Sequence, residues 1–214
     1  MKILQVGKYS EERSGGMETA IYGLCRQLAK DHDVELLVHG EGRGGGRRTV
    51  GRLASEVLPT LLTLFSTPLS PSLISRLRQS RDFDVIQISL QNPAAVLAYL
   101  LARPRGRLVA WSHHDIVRQK LLGRLLRPLH HAFLSRADAI VATSRAYAES
   151  SQTLRPFQKK ITVIPLGIDA DAFVDARAQA RSREIQERLG GPLVAFVGRL
   201  VYYKGLPYLI EAMA

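Results

Sequence analysis

One cysteine, Cys25, in 214 residues leaves no internal disulfide to form, and its place in the helical pattern Ile21-Leu24-Cys25-Leu28, with no base nearby, reads as core. No apolar run reaches the roughly 20 residues that a membrane span requires, since even Leu58 to Leu64 is soon closed by Pro68 and Pro71. The opening MKILQVGKY has neither the long apolar stretch nor the small-residue cleavage site of a signal peptide, so the expected setting is the cytoplasm. No cluster of His, Cys and carboxylates has metal-ligand spacing, and no metal or cofactor is expected; His130-His131, set in a basic helix, reads as surface. Acidic residues are locally scarce. Between Arg103 and Arg136 only Asp115 stands against eight Lys or Arg, within a formal net charge of +11. Such a block is a candidate contact face for an anionic membrane, nucleic acid or phosphorylated substrates, or else a solvated helix face. Without interleaved aromatics or a recognisable nucleic-acid module, no nucleic-acid partner is expected.

What is present alternates. Lys2 to Val6 reads as a strand ending in Gly7, Gly15-Gly16 as a glycine loop, and Ala20 to Ala29 as a helix, with Val34 to Val38 as the next strand. Gly40 to Arg52, glycine-rich and charged, reads as a surface loop and not as a phosphate cradle. Strands at 84–88, 107–111, 139–142 and 161–164 alternate with helices at 93–101, 120–134 and 145–154, the last capped by Ser144. This pattern specifies an α/β fold with a doubly wound parallel sheet. After a charged, Ala- and Arg-rich stretch the grammar restarts: Leu193 to Val197 reads as a strand, Gly198 to Gly205 as a loop and Leu206 to Ala214 as a helix. The expected division is 1–168 as the first domain, 169–191 as a linker and 192–214 as the truncated start of a second Rossmann-like domain. Ligands of such sheets bind at the carboxyl ends of strands, which directs attention to Gly7 to Gly16, Ser112 to Asp115 and Gly198 to Gly205.

Read together, GGMETA, HHDIV, IVATS, VIPLGID and FVGRLVYYKGLPYLIEAM resemble the retaining glycosyltransferases of family GT4 over almost the whole length. The last two motifs carry most of the specificity, and Leu166 stands where the family usually has Asn. Trp111 with Asp115-Ile116-Val117 is most similar to bacterial members that assemble surface polysaccharides, often mannosyl or related transferases. The resemblance implies a GT-B fold, of which this chain holds the amino-terminal, acceptor-side domain. It also implies transfer of a sugar from a nucleotide-sugar donor, with GDP-mannose as a candidate, to a glycan or lipid-linked acceptor. A fragment holding one complete wall of the cleft is expected to be inactive alone, and a peripheral contact at the inner membrane face through 103–136 would suit a lipid-linked acceptor.

The candidate site residues follow. Gly15 and Gly16 precede a helix amino terminus, where free N–H groups and the helix dipole favour the donor diphosphate. Met17-Glu18-Thr19 excludes a Walker loop. His113 and His114 follow a strand's carboxyl end, where a neutral imidazole can hydrogen-bond a sugar hydroxyl. The family motif His-x-Asp selects His113, whereas His-Asp selects His114, so both stand as catalytic candidates with His113 favoured. Asp115 is expected to orient the loop or cap the following helix, not to act as base. Arg199 and Lys204 match the family's cation pair for the donor diphosphate, which makes a metal unnecessary. His32, His39, Glu11-Glu12 and Asp82-Asp84 are read as surface or capping groups. A reading of another class, a non-catalytic membrane- or glycan-docking module, stays open.

Overall fold

Lys2–Tyr9 (β1) is apolar at most positions, and its Ile3, Leu4 and Val6 are buried. A strand of that kind must be covered on both faces. It lies inside the sheet, parallel to Asp33–His39 (β2) on one side and to Val85–Ser89 (β7) on the other. Gly16–Leu28 (α1) joins β1 to β2 and turns Ile21, Tyr22 and Cys25 inward. The computed structural model describes residues 1–12, 15–40, 42, 44–64, 67–115, 120–168, 170, 176–198 and 200–213.

Beyond β7 the expected alternation holds. Pro93–Ala102 (α3) leads to Arg107–Ser112 (β8), Lys120–Arg136 (α4) to Ala139–Ala142 (β9), and Arg145–Ser150 (α5) to Ile161–Val163 (β10). Side chains fix the helix starts. Asn92 accepts from the Ala95 N–H at 3.2 Å, with Pro93 in the first turn, and Ser144 accepts from the Tyr147 N–H at 3.1 Å. Helix α5 stops short of the expected Leu154 and is followed by a 3₁₀ segment, Arg155–Lys160.

The stretch from Gly40 to Arg52, expected to be a loop, contains Gly46–Val50 (β3), antiparallel to Leu53–Leu58 (β4), which in turn runs parallel to β2. Pairing against a buried neighbour outweighs the poor strand propensity of Gly, Arg, Ser and Glu here. Leu62–Leu64 (β5) and Thr67–Leu69 (β6) then form a separate two-stranded hairpin before Pro71–Gln79 (α2). Arg76 of α2 fastens that helix to the sheet: its Nε donates to Glu56 at 2.9 Å, Nη2 to Glu35, and Nη1 to Ser80 Oγ at 3.1 Å.

The strand order is β10-β9-β8-β7-β1-β2-β4-β3, parallel except for the β3 edge. From β1 the chain winds one way to β2, and from β7 it winds the other way to β10. Right-handed crossovers therefore place α1 on one face and α3 to α5 on the other. The two cores agree, with Ile21, Cys25, Leu36 and Trp111 in one and Leu73, Val96, Ile86 and Phe133 in the other. The winding reverses between β1 and β7, so their carboxyl ends flank the crevice where such sheets receive ligands.

The chain divides into two compact units, Met1–Ile168 and Asp169–Ala214. In the second, the charged stretch expected as a linker contains the exposed helix Ala176–Leu189 (α6), which carries an Arg181–Glu184 ion pair at 2.7 Å. Leu193 to Val197, expected to be a strand, forms none, and Val197 is 95% exposed. A strand exists only when a neighbour satisfies its backbone, and among the described residues of this unit no strand stands beside it. A 3₁₀ turn at Tyr202–Lys204 and Gly205, in left-handed conformation at φ 69°, lead into Leu206–Met213 (α7), which buries no residue.

Candidate functional site

The carboxyl ends of β1, β7 and β8 gather the first unit's polar loops. At β7 the chain turns through Gln91 and Asn92. Asn92 is fully buried, and its Nδ2 donates to Gly7 O at 3.1 Å, tying the β7 turn to the end of β1. Gln91 accepts at Oε1 from Ser89 Oγ at 3.0 Å and from the His113 N–H at 3.4 Å, while Nε2 donates to His114 O at 2.6 Å. One amide thus grips the backbone on both sides of the His113–His114 bond. Ser89 Oγ also lies 3.8 Å from Met17 Sδ in the first turn of α1, which brings the helix start and the histidine loop to one place.

His113 and His114 are treated differently. The His113 ring rests on Trp111, centroids 4.3 Å apart, and is partly buried; its Nε2 is enclosed without a hydrogen-bond partner. Burial, reinforced by the neighbouring His114, pushes its pKa down to about 4, so the ring is neutral at ordinary pH. An enclosed nitrogen without a partner is a deficit of about 1–3 kcal/mol until something supplies the bond. His114 is exposed, with Nδ1 3.2 Å from the Asp115 carbonyl. Asp115 anchors the loop as expected: Ser151 Oγ donates to its carboxylate at 2.9 Å and Tyr147 OH at 3.2 Å, and Tyr147 OH also sits 2.8 Å from Ser112 Oγ. Burial holds the Tyr147 phenol up at about 12, so it stays a hydrogen-bonding hydroxyl.

Gly15 is the N-cap of α1, in extended conformation at φ −166°, so left-handed backbone is not what demands glycine there. Nor does space demand it: a Cβ on Gly15 would meet only the Glu18 carboxyl, the movable end of a side chain, and one on Gly16 would meet nothing within 4 Å. The Glu18 carboxylate therefore lies over the helix amino terminus, where the dipole favours negative charge, and a bound phosphate would have to displace it. Beside this point, Ser10, Glu12, Gly40, Gly44 to Gly46, Arg48 and Val57 line a groove of about 400 Å³, with Arg48 donating to Glu12 at 2.6 Å.

Of the candidate residues, Gly15, Gly16, His113 and His114 share this edge. Lys204 is exposed in the second unit, and Arg199 lies outside the described residues. Three readings change. His39 is buried, with Nδ1 3.1 Å from Lys8 O, and His130 is buried in α4; burial lowers the pKa of both. The basic block also fails to form one face, because Arg103, Arg105 and Arg107 stand at the amino end of β8 and Lys120 to Arg127 follow its carboxyl end. Gln91, Asn92, Tyr147 and Ser151 were not anticipated, although an Asn-Pro pair directly after a strand was a readable cap signal. No described helix is long and apolar enough to cross a membrane.

A doubly wound sheet with a helix amino terminus and polar loops at its switch point defines a Rossmann-like domain shaped as one half of a GT-B glycosyltransferase. Solved structures share that fold: Anabaena HepE in complex with UDP matches with a TM-score of 0.66 at 19% identity, over 100% of this chain and 57% of that one. Sucrose-phosphate synthase from Thermosynechococcus elongatus matches with a TM-score of 0.71 at 18% identity, over 99% of this chain and 59% of that one. The family model for Glycosyltransferase Family 4 matches residues 14–172, and the chain belongs to that family. It is 36% identical over 99% of its length to O-antigen chain mannosyltransferase C of Escherichia coli, and 33% identical over 100% to D-rhamnosyltransferase WbpZ of Pseudomonas aeruginosa. The chain spans 57% and 56% of the length of these two relatives.

Proposed function

We propose that this chain is the acceptor-side half of a retaining glycosyltransferase of bacterial surface-polysaccharide assembly, moving a sugar from a nucleotide-sugar donor, with GDP-mannose as the first candidate, to a glycan or lipid-linked acceptor. The observation that carries this reading is His113: a neutral imidazole with an unmet hydrogen bond, held by Gln91 and Trp111 at the carboxyl edge of the sheet. A sugar hydroxyl can supply that bond, and strengthening it as charge develops in the transition state accelerates transfer. The amino terminus of α1 at Gly15 and Gly16 receives the diphosphate when Glu18 swings away. Arg199 and Lys204 neutralise the leaving nucleotide, and the groove beside Arg48 and Glu12 takes the acceptor. The basic sequence that holds Arg118, Lys120, Arg124 and Arg127 carries the contact with anionic headgroups at the inner membrane face. The relatives' names, an O-antigen mannosyltransferase and a rhamnosyltransferase, support the substrate class. The test is transfer from a panel of nucleotide sugars to a lipid-linked glycan by this chain beside a version extended through a second nucleotide-binding half. The extended version should turn over and the short chain should not, because positioned charge is worth about a hundredfold or more per group. Turnover by the short chain within tenfold of the extended one would overturn the division of labour, and none from any donor by the extended one would overturn the activity.

A further inference from the structure

The turn after β7 carries two amide side chains in succession, and both reach across the fold. Asn92 is fully buried, accepting from the Ala95 N–H at 3.2 Å and donating to Gly7 O at 3.1 Å. The backbone around it is pinned as well. The Leu90 N–H donates to Trp111 O at 2.8 Å and the Asn92 N–H to Ser89 O at 3.1 Å. Gln91 therefore stands on a turn that cannot shift without breaking the junction of β1, β7 and β8.

The Gln91 amide has one permitted orientation. A backbone N–H only donates and a carbonyl only accepts, so the end that meets the His113 N–H at 3.4 Å is the oxygen, and the end that meets His114 O at 2.6 Å is the nitrogen. The Ser89 hydroxyl, 3.0 Å from the oxygen, donates to the same end. Among side chains of this length only glutamine presents an acceptor and a donor at one tip at ordinary pH. Glutamate keeps the shape but sets a lone pair against the His114 carbonyl, and methionine keeps the length and makes neither bond. The backbone so gripped carries the His113 ring, which lies on Trp111 at 4.3 Å between centroids and whose Nε2 has no hydrogen bond of its own to orient it. Its direction has to come from its supports: Gln91 for the main chain and Trp111 for the ring.

We infer that Gln91 is a positioning residue, whose amide fixes the backbone at His113 and His114 so that the His113 imidazole meets the reacting sugar at one angle. This rests on the role proposed for His113 and adds the group through which the fold aims it. Aim matters because a displacement of about 1 Å can cost about a hundredfold in rate. The test is a double-mutant cycle of Gln91→Met with His113→Ala in the version extended through a second nucleotide-binding half, read by transfer to a lipid-linked glycan. Gln91→Met should lower kcat about 10- to 100-fold and leave the donor KM within about threefold, because no donor contact is assigned to Gln91. Gln91→Glu should lose as much despite its shape. The double variant should match His113→Ala alone within about threefold, since a residue that acts through His113 then has nothing to act on. A second readout needs no turnover: in the NMR spectrum of the chain, the His113 ring protons, displaced by the ring current of Trp111, should move towards free-histidine values in Gln91→Met. A kcat for either Gln91 variant close to the parent's, ring signals that stay in place, or losses that multiply in the double variant would overturn the positioning role and leave the chemistry of His113 standing. Loss of the folded spectrum in both Gln91 variants would make Gln91 a folding residue and overturn it too. A harmless His113→Ala would instead overturn the reading of the site, and the inference with it.

Discussion

Replacing Arg76 by Met keeps most of the aliphatic stem that packs α2 on the sheet and removes the guanidinium between Glu35 and Glu56. Both carboxylates then remain in place without a cation. Breaking a fully buried pair costs about 3–5 kcal/mol. Here the side chains of Arg76 and of both glutamates keep 14% and 19% of their surface exposed, so water recovers part of the loss and about 2–3 kcal/mol is expected. With a urea slope of about 2 kcal/mol/M, the midpoint should fall by roughly 1–1.5 M. Emission from Trp111, buried in the first unit, reports the transition. The pH dependence fixes the cause. Burial raises the Glu56 pKa, but the Arg76 hydrogen bond and charge, with those of Arg47, hold it below its ordinary 4.5. A carboxyl depressed in the folded state contributes stability that is present above the unfolded value and lost as pH falls through the folded one. In the variant the unpaired Glu56 carboxylate is relieved by protonation instead. The gap between the two proteins should therefore be widest near pH 7 and close below about pH 4.5, and adding Glu35→Gln and Glu56→Gln to the variant should restore most of the midpoint. A midpoint shift below 0.3 M at pH 7, or a gap that stays constant with acidification, would refute the clamp.

The buried imidazoles give a second pH effect in a different window. His113, at about 4, takes up its proton later in the folded state than in the unfolded one, so stability is present above the ordinary 6.5 and falls as pH drops towards 4. The loss at pH 5 from this group should reach up to about 2 kcal/mol, and His113→Gln should make the fall of the urea midpoint between pH 7 and 5 shallower by that amount, leaving the part that His39 and His130 contribute; an equally steep profile in the variant would assign the effect to those two. Tyr147→Phe removes the hydroxyl that joins Ser112 to Asp115. Stability should fall by about 1–2 kcal/mol and amide exchange at His113 and His114 should quicken, whereas unchanged exchange would show that Ser151 alone positions the loop.

The sheet was legible where strands are buried on both faces, because β1, β2 and β7 to β9 are apolar runs closed by turn residues. It was not legible at β3 and β4: Arg47 and Arg48 fall in the stretch that reads as loop, Ser55 and Glu56 carry no strand signal, and it is the pairing of β4 with β2, and of β3 with β4, that makes strands. Leu193 to Val197 shows the reverse: an apolar run is a strand only if a neighbour lies beside it. The site divided in the same way. Gly15, Gly16, His113 and His114 stood out as candidates because they follow strand ends, whereas Gln91, Tyr147 and Ser151 act through contacts across the fold that spacing does not carry. His130 could have been placed from the sequence, since it stands three and four residues before Phe133 and Leu134 and so shares their buried face; its basic surroundings suggested surface.

The most direct test compares His113→Ala with His114→Ala in the version extended through a second nucleotide-binding half, measuring sugar transfer to a lipid-linked glycan from the donor that the panel selects. Loss of about 100–1000-fold in kcat for His113→Ala, with His114→Ala within fivefold of the parent, is the predicted outcome. A kcat for His113→Ala within threefold of the parent would contradict the account, because the histidine held by Gln91 and Trp111 would then be packing and not chemistry.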